Sequence, residues 1–134
     1  MVPDDFIEAR AKLDKEKFDC ILYLNVLHLL PDPIHILSLF SDTASEHAIT
    51  VIQVPNLAFY KHVWRGIHAV DSIWNWGAYS RTGVHPTCKR LIRNWCYGSG
   101  LRLTKMIHKY PKRANSASRI MPGLFAPELV AIAQ

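Results

Sequence analysis

The first unbroken apolar run in the chain is Cys20-Ile21-Leu22-Tyr23-Leu24, closed off by Asp19 on one side and Asn25 on the other. Its length and lack of alternation predict a strand covered on both faces, as in the parallel sheets of α/β proteins. Pro31 and Pro33 then stop regular structure, and a helix opens at Pro33 or Ile34. Ile34, Ile36, Leu37, Leu39 and Phe40 give that helix a broad apolar face, which predicts its run to about Ala44. Ala48 to Pro55 is rich in β-branched residues and reads as a second buried strand. Strand, helix, strand with short connections is a βαβ unit, so a parallel, helix-covered sheet with a right-handed crossover is expected.

The flanking segments are less regular. Asp4 to Lys17 carries Phe6, Ala9 and Leu13 at helical spacing, with acids early and lysines late, and predicts a short exposed helix or helical loop. Residues 57–86 contain Trp64, Trp74, Trp76, Tyr79 and scattered Gly, Ser and Thr without a clean period, the texture of an inserted loop or lid. Thr87 is placed to cap a helix from Lys89 to Cys96, with Gly98 or Gly100 to end it in the left-handed conformation. Leu101 to Ile107 alternates as a half-exposed strand does, Lys109 to Pro122 is polar and basic and reads as a loop, and Glu128 to Ala133 predicts a last strand.

At 134 residues and 49% hydrophobic, the chain is sized for one domain with a core of its own. No run of 18 apolar residues predicts a membrane span, and Met1 to Glu8 lacks the layout of a secretory signal, so the cytoplasm is the expected compartment. Cys20, Cys88 and Cys96 are an odd number at spacings that suit neither a disulfide framework nor a zinc site, and they read as reduced thiols. The net charge of +5 is uneven: residues 1–60 hold 4 Lys/Arg against 9 Asp/Glu, and residues 61–134 hold 12 against 2. A basic second half can mean an anionic partner, nucleic acid or a phosphorylated substrate, so a nucleic-acid-binding half-domain is an alternative, with a solvated basic face the favoured reading.

The run Phe18 to Pro33, Phe-Asp-x-Ile-Leu-x-x-Asn-Val-Leu-x-x-Leu-Pro-Asp-Pro, resembles the fourth strand and following loop of class I S-adenosylmethionine-dependent methyltransferases. Later features fall in that family's order: a helix, a strand ending in Val54-Pro55-Asn56, a loop carrying His85 and Thr87 ahead of a helix, and a Gly100-Leu101 turn into a strand. The resemblance implies a partial Rossmann-like fold of α/β class: a mainly parallel sheet, an antiparallel C-terminal strand and flanking helices. Within it, 1–17 is an N-terminal helix or loop, 18–56 the βαβ unit, 57–86 the lid, and 87–134 a helix with the C-terminal strands. The chain departs from the family in two ways. The 17 residues before Phe18 contain no glycine, so the glycine-rich cofactor loop has no counterpart there, and His28-Leu29 stands where the family has Glu-His. The chain therefore looks like the C-terminal half of such a domain, catalytically incompetent by itself.

By the same resemblance, S-adenosylmethionine is the cofactor, and Asn25, Val26 and Leu27 lie beside it. Asn56, Trp76 and Tyr79 fall on the side of an unknown methyl acceptor. His28 and His85 are the catalytic candidates, since imidazole titrates near neutral pH and transfer to oxygen or nitrogen releases a proton. Each has a plainer reading as well: a strand-end turn for Asn25 and Asn56, hydrogen-bonded packing for His28, and a lid packed on its own domain for the aromatics. No metal site is expected among the seven histidines. A different class of function also stands: an interaction module whose bare sheet edge pairs with another chain or with a second copy of itself.

Overall fold

The computed structural model describes residues 4–13, 16–56, 79–110 and 121–134. The expected lid over 57–78, with Trp64, Trp74 and Trp76, and most of the expected 109–122 loop lie outside them. The described elements are helix α1 (Asp4–Lys12), strand β1 (Phe18–Leu24), helix α2 (Pro33–Leu39), strand β2 (Ala44–Pro55), a single turn α3 (Tyr79–Thr82), helix α4 (Lys89–Gly98), strand β3 (Leu103–Lys109), a second single turn α5 (Pro122–Phe125) and strand β4 (Glu128–Ala133). None of the described helices is long and apolar enough to cross a membrane.

The four strands form one sheet in the order β1-β2-β4-β3. β1 and β2 run parallel, with Leu22 opposite Val51 and Tyr23 opposite Ile52. β4 enters between β2 and β3 and is antiparallel to both, with Ile52 opposite Ala131 and Met106 also opposite Ala131. The α/β class, the flanking helices and the antiparallel C-terminal strand are as the sequence suggests. The balance differs from a mainly parallel sheet, because one ladder is parallel and two are antiparallel.

This register sorts the side chains onto two faces. Tyr23, Ile52, Val54, Leu129, Ala131 and Ala133 form one buried cluster with Ile36 and Leu37 of α2 and Ile92, Trp95 and Cys96 of α4. α2 begins where it does because the Asp32 carboxylate accepts from the His35 amide at 3.0 Å, with Pro33 at the first helical position. α2 and α4 approach closely at Gly98, where a β-carbon would sit 2.9 Å from Ile34 Cδ1. α4 is followed by Gly100 at φ +79°, the left-handed position expected after it. Thr87 does not cap this helix; Cys88 precedes it without a side-chain cap, and the Thr87 hydroxyl donates instead to the Pro55 carbonyl.

The opposite face corrects the expectation for β1. Cys20 is exposed, Leu22 is 58% and Leu24 55% exposed, and Ile49 beside Cys20 is also exposed. β1 is thus an edge strand, buried through Tyr23 on the helical side and open on the other among the described residues. The unbroken apolar run is real, but only half of it is covered by described residues.

Candidate functional site

The carboxyl ends of β1 and β2 lie side by side, because the parallel ladder ends with Asn25 N–H donating to the Gln53 carbonyl at 2.8 Å. In an α/β sheet this end is where ligands collect. Asn25 takes the left-handed conformation, φ +54°, and turns the chain into a short 3₁₀ segment, Leu27–Leu29. Asn25 is exposed and Val26 half-buried, whereas Leu27 is fully buried in the core. Of the three residues expected beside a cofactor, Asn25 and Val26 therefore present side chains at the strand end, and Leu27 packs inward.

Residues 79–88 cross over these ends and are fastened at four points. Tyr79 Oη donates to the Leu29 carbonyl at 3.0 Å. The His85 amide donates to the His28 carbonyl at 2.8 Å, and His85 Nε2 lies 2.9 Å from the Leu30 carbonyl. Thr87 reaches Pro55 at the end of β2. A carbonyl only accepts, so His85 carries a proton on Nε2. The ring is held between two aromatics: Tyr79 stacks on it with centroids 4.6 Å apart, and Trp95 meets it edge-on at 5.5 Å. The structure thus brings Tyr79, His85 and His28 together. Trp76 lies outside the described residues.

His28 is 9% exposed, and its Nδ1 is buried with no hydrogen-bond partner among the described residues. Burial, and to a lesser degree the neighbouring His85, pull its pKa below the usual imidazole value, so His28 is held neutral. An orphaned imidazole nitrogen in a buried wall costs stability. It is also the state in which an imidazole accepts a proton.

Asn56 works inward. It is 1% exposed, and its amide donates to the Gly123 carbonyl at 2.8 Å and the Ala126 carbonyl at 2.6 Å, which anchors the segment before β4 under the end of β2. Its amide is thereby engaged in holding the turn, the plainer of its two readings. Among the described residues no three His, Cys, Asp or Glu side chains gather as a metal-holding group.

Sequence reasoning missed two features here. Trp95 as the floor of the His85 stack was signalled by its helical spacing from Ile92, which puts both on the buried side of α4. A largely apolar hollow of about 340 Å³ beside Asn56, lined among the described residues by Cys88, Lys89, Arg90, His108, Gly123 and Leu129, had no signal in the sequence.

No family model matches the sequence, and no curated protein matches it. Solved structures do resemble it. A SAM-dependent methyltransferase from Archaeoglobus fulgidus aligns with a TM-score of 0.60 at 16% identity, covering 96% of this chain and 64% of its own. A chain from the complex of the Haloferax volcanii Trm112 methyltransferase activator with a protein described as a methyltransferase aligns at 0.54 and 10% identity, over 88% of this chain and 54% of that one. The CurJ carbon methyltransferase aligns at 0.51 and 17% identity, over 89% of this chain and 30% of that one. The fold is therefore methyltransferase-like, and the chain spans less than two thirds of the length of these neighbours.

Proposed function

We propose that these residues form the acceptor-side part of an S-adenosylmethionine-dependent methyltransferase fold, and that the 134-residue chain by itself does not turn over. The observation that carries this reading is the state of β1: its outer edge is unpaired among the described residues, and Leu22 and Leu24 stand half-exposed on it. The occupant that fits is a parallel strand from the donor-binding part of the fold, which the longer neighbours have room to contain. The described residues fit the donor incompletely. Asn25 and Val26 offer one wall, but residues 1–65 contain no glycine, so no glycine turn brings backbone amides to a nucleoside from that side. Within a completed site, His28 supplies a neutral imidazole and His85 a second ring close to the strand ends, and Tyr79 holds His85 in its orientation. Calorimetry tests the reading: S-adenosylmethionine added to the isolated chain gives no binding heat up to about millimolar concentration, and a micromolar dissociation constant overturns it.

The same exposed edge favours a second reading, a module that binds a partner chain or a second copy of itself through β1. One neighbour was solved with an activator protein, which is the kind of assembly this reading describes. Sedimentation across a wide concentration range separates the two: a species that stays monomeric and folded removes self-association.

A further inference from the structure

A half-open hollow of about 350 Å³ lies beside β1, between the strand, α1 and the end of α2. That volume is in the range of small-molecule pockets. Phe6 of α1, Phe18 and Ile21 of β1, Val26 after the strand and Phe40 after α2 give it an aromatic and aliphatic wall. The outer wall is held in place. Phe6 meets Phe40 edge-on at 6.5 Å, and Arg10 ties α1 to the end of α2 through the Leu39 carbonyl at 3.1 Å and Asp42 at 3.8 Å. No described residue that lines the hollow is a Lys, Arg, His, Asp or Glu.

Tyr23 is the polar member of this wall. It is 7% exposed and packed in the core cluster, yet its hydroxyl forms no hydrogen bond with a described residue. The hydroxyl is not sealed off either, because the sealed, unpartnered side-chain atom among the described residues is His28 Nδ1. Tyr23 lines the hollow, so what remains open of it opens there. Thr43, the other hydroxyl in the wall, is already given to the Phe40 carbonyl at 2.7 Å. Burial holds the phenol protonated, with its pKa above the ordinary tyrosine value, so Tyr23 Oη is a donor. Buried phenols normally find a partner, and a phenylalanine would fill the same core position without an idle hydroxyl.

We propose that the hollow binds a neutral, mostly hydrocarbon ring molecule bearing one acceptor oxygen, a carbonyl or an ether, which takes the hydrogen bond from Tyr23. A wall without charge offers no compensation to a phosphate, carboxylate or ammonium that would lose its hydration there. Three phenylalanine rings favour a flat ring over an alkyl chain, through stacked and edge-on contacts. The hollow reaches from Val26 at the end of β1 back to Phe18 at its start, away from the strand ends where a methyl donor would react. The site therefore stands apart from the methyltransferase reading and does not rest on it.

The test titrates the isolated chain with 2-acetylnaphthalene, a flat ketone, and with 2-isopropylnaphthalene, which has nearly the same shape without the oxygen, followed by saturation-transfer NMR. Both should saturate, the ketone about three- to ten-fold more tightly, the range of one neutral hydrogen bond. Tyr23→Phe should remove that advantage and leave the affinity of the hydrocarbon unchanged. The variant keeps the ring in the core, and circular dichroism verifies its fold. Leu13→Trp, at the half-buried position just after α1, should fill the hollow and weaken both probes by about ten-fold or more. Four results overturn the proposal: neither probe saturates below its solubility limit; Tyr23→Phe keeps the ketone's advantage; Leu13→Trp binds both probes as the parent does; or binding appears only at concentrations where sedimentation shows self-association, which places the probes between copies. The calorimetric result with S-adenosylmethionine leaves these outcomes untouched.

Discussion

Replacing His28 by Leu should stabilise the protein. The two side chains are close in volume, the site is 9% exposed, and Nδ1 is a buried polar atom without a partner among the described residues. Leaving such an atom unpaired costs about 1–3 kcal/mol, so an apolar replacement of similar shape recovers about 1–2 kcal/mol after imperfect packing. For a domain of this size that corresponds to a rise in melting temperature of about 3–8 °C. The pH dependence supplies a second signature. His28 is depressed by burial and by His85, so between its folded pKa and the ordinary value of about 6.5 the unfolded chain binds more protons than the folded one. Stability contributed by neutral His28 is complete above that ordinary value, is lost as pH falls below it, and levels off below the folded pKa. His108 is depressed in the same sense and contributes a parallel loss. His28→Leu should therefore flatten the acid limb without abolishing it, as read from urea midpoints between about pH 4.5 and 8. His28→Gln retains polar atoms in the wall and should fall below His28→Leu by about 1–3 kcal/mol. A His28→Leu protein that is less stable than its parent by more than about 1 kcal/mol, with an unaltered acid limb, refutes the reasoning, because Nδ1 would then be partnered and His28 an ordinary packing residue.

Two further measurements address the strand end and the core. Asn25 sits at φ +54°, so Asn25→Val should cost about 1–2 kcal/mol in urea unfolding while Asn25→Gly stays within about 0.5 kcal/mol of the parent; equal tolerance of both would show that the left-handed bend is dispensable. Cys20 is exposed on β1, whereas Cys96 is buried and its thiol pKa is raised by that burial. A thiol reagent should label Cys20 at once and Cys96 at least about a thousand-fold more slowly, at the rate of global opening; early labelling of Cys96 by mass spectrometry would mean that the α4 face of the core is not closed.

The elements marked by continuous apolar runs or by proline were readable from the sequence, because those signals are local. β1, the start of α2 at Pro33, and β4 from Glu128 to Ala133 fall where the pattern puts them. β2 begins at Ala44 rather than Ala48: Ala44 pairs with Phe18, the ladder then breaks in a bulge across polar Ser45-Glu46-His47 before resuming at Ile49, and Ser45 Oγ donates to Asp19 at 2.6 Å. α2 stops at Leu39 and gives way to a 3₁₀ turn, Ser41–Thr43, in which the Thr43 hydroxyl returns to the Phe40 carbonyl at 2.7 Å. The site was harder to read. Tyr79 and His85 attracted attention as single residues, but their attachment to Leu29 and Leu30, which sets their stacking over the strand ends, is made across about 50 residues of sequence. The partners of Asn56 were hidden for a related reason: the carbonyls of Gly123 and Ala126 that bind it lie far along the chain.

β1 links the sequence pattern to the proposed function. Its residues are apolar on both sides of the strand, yet the described residues cover one side, leaving Leu22 58% and Leu24 55% exposed. Burying what remains of those two side chains is worth about 2–3 kcal/mol, and a strand pairing on the open edge adds its backbone hydrogen bonds. On the proposed reading, a segment that completes the sheet stabilises this chain and supplies the rest of the donor site in the same step, so donor binding and sheet completion are coupled. A ligand stabilises a protein only as far as it prefers the folded form, by RT ln(1 + [L]/Kd). S-adenosylmethionine should accordingly leave the melting temperature of the isolated chain unchanged. A donor-induced rise in the isolated chain would mean that β1 needs no complement, and the division of the fold into two parts would have to be abandoned.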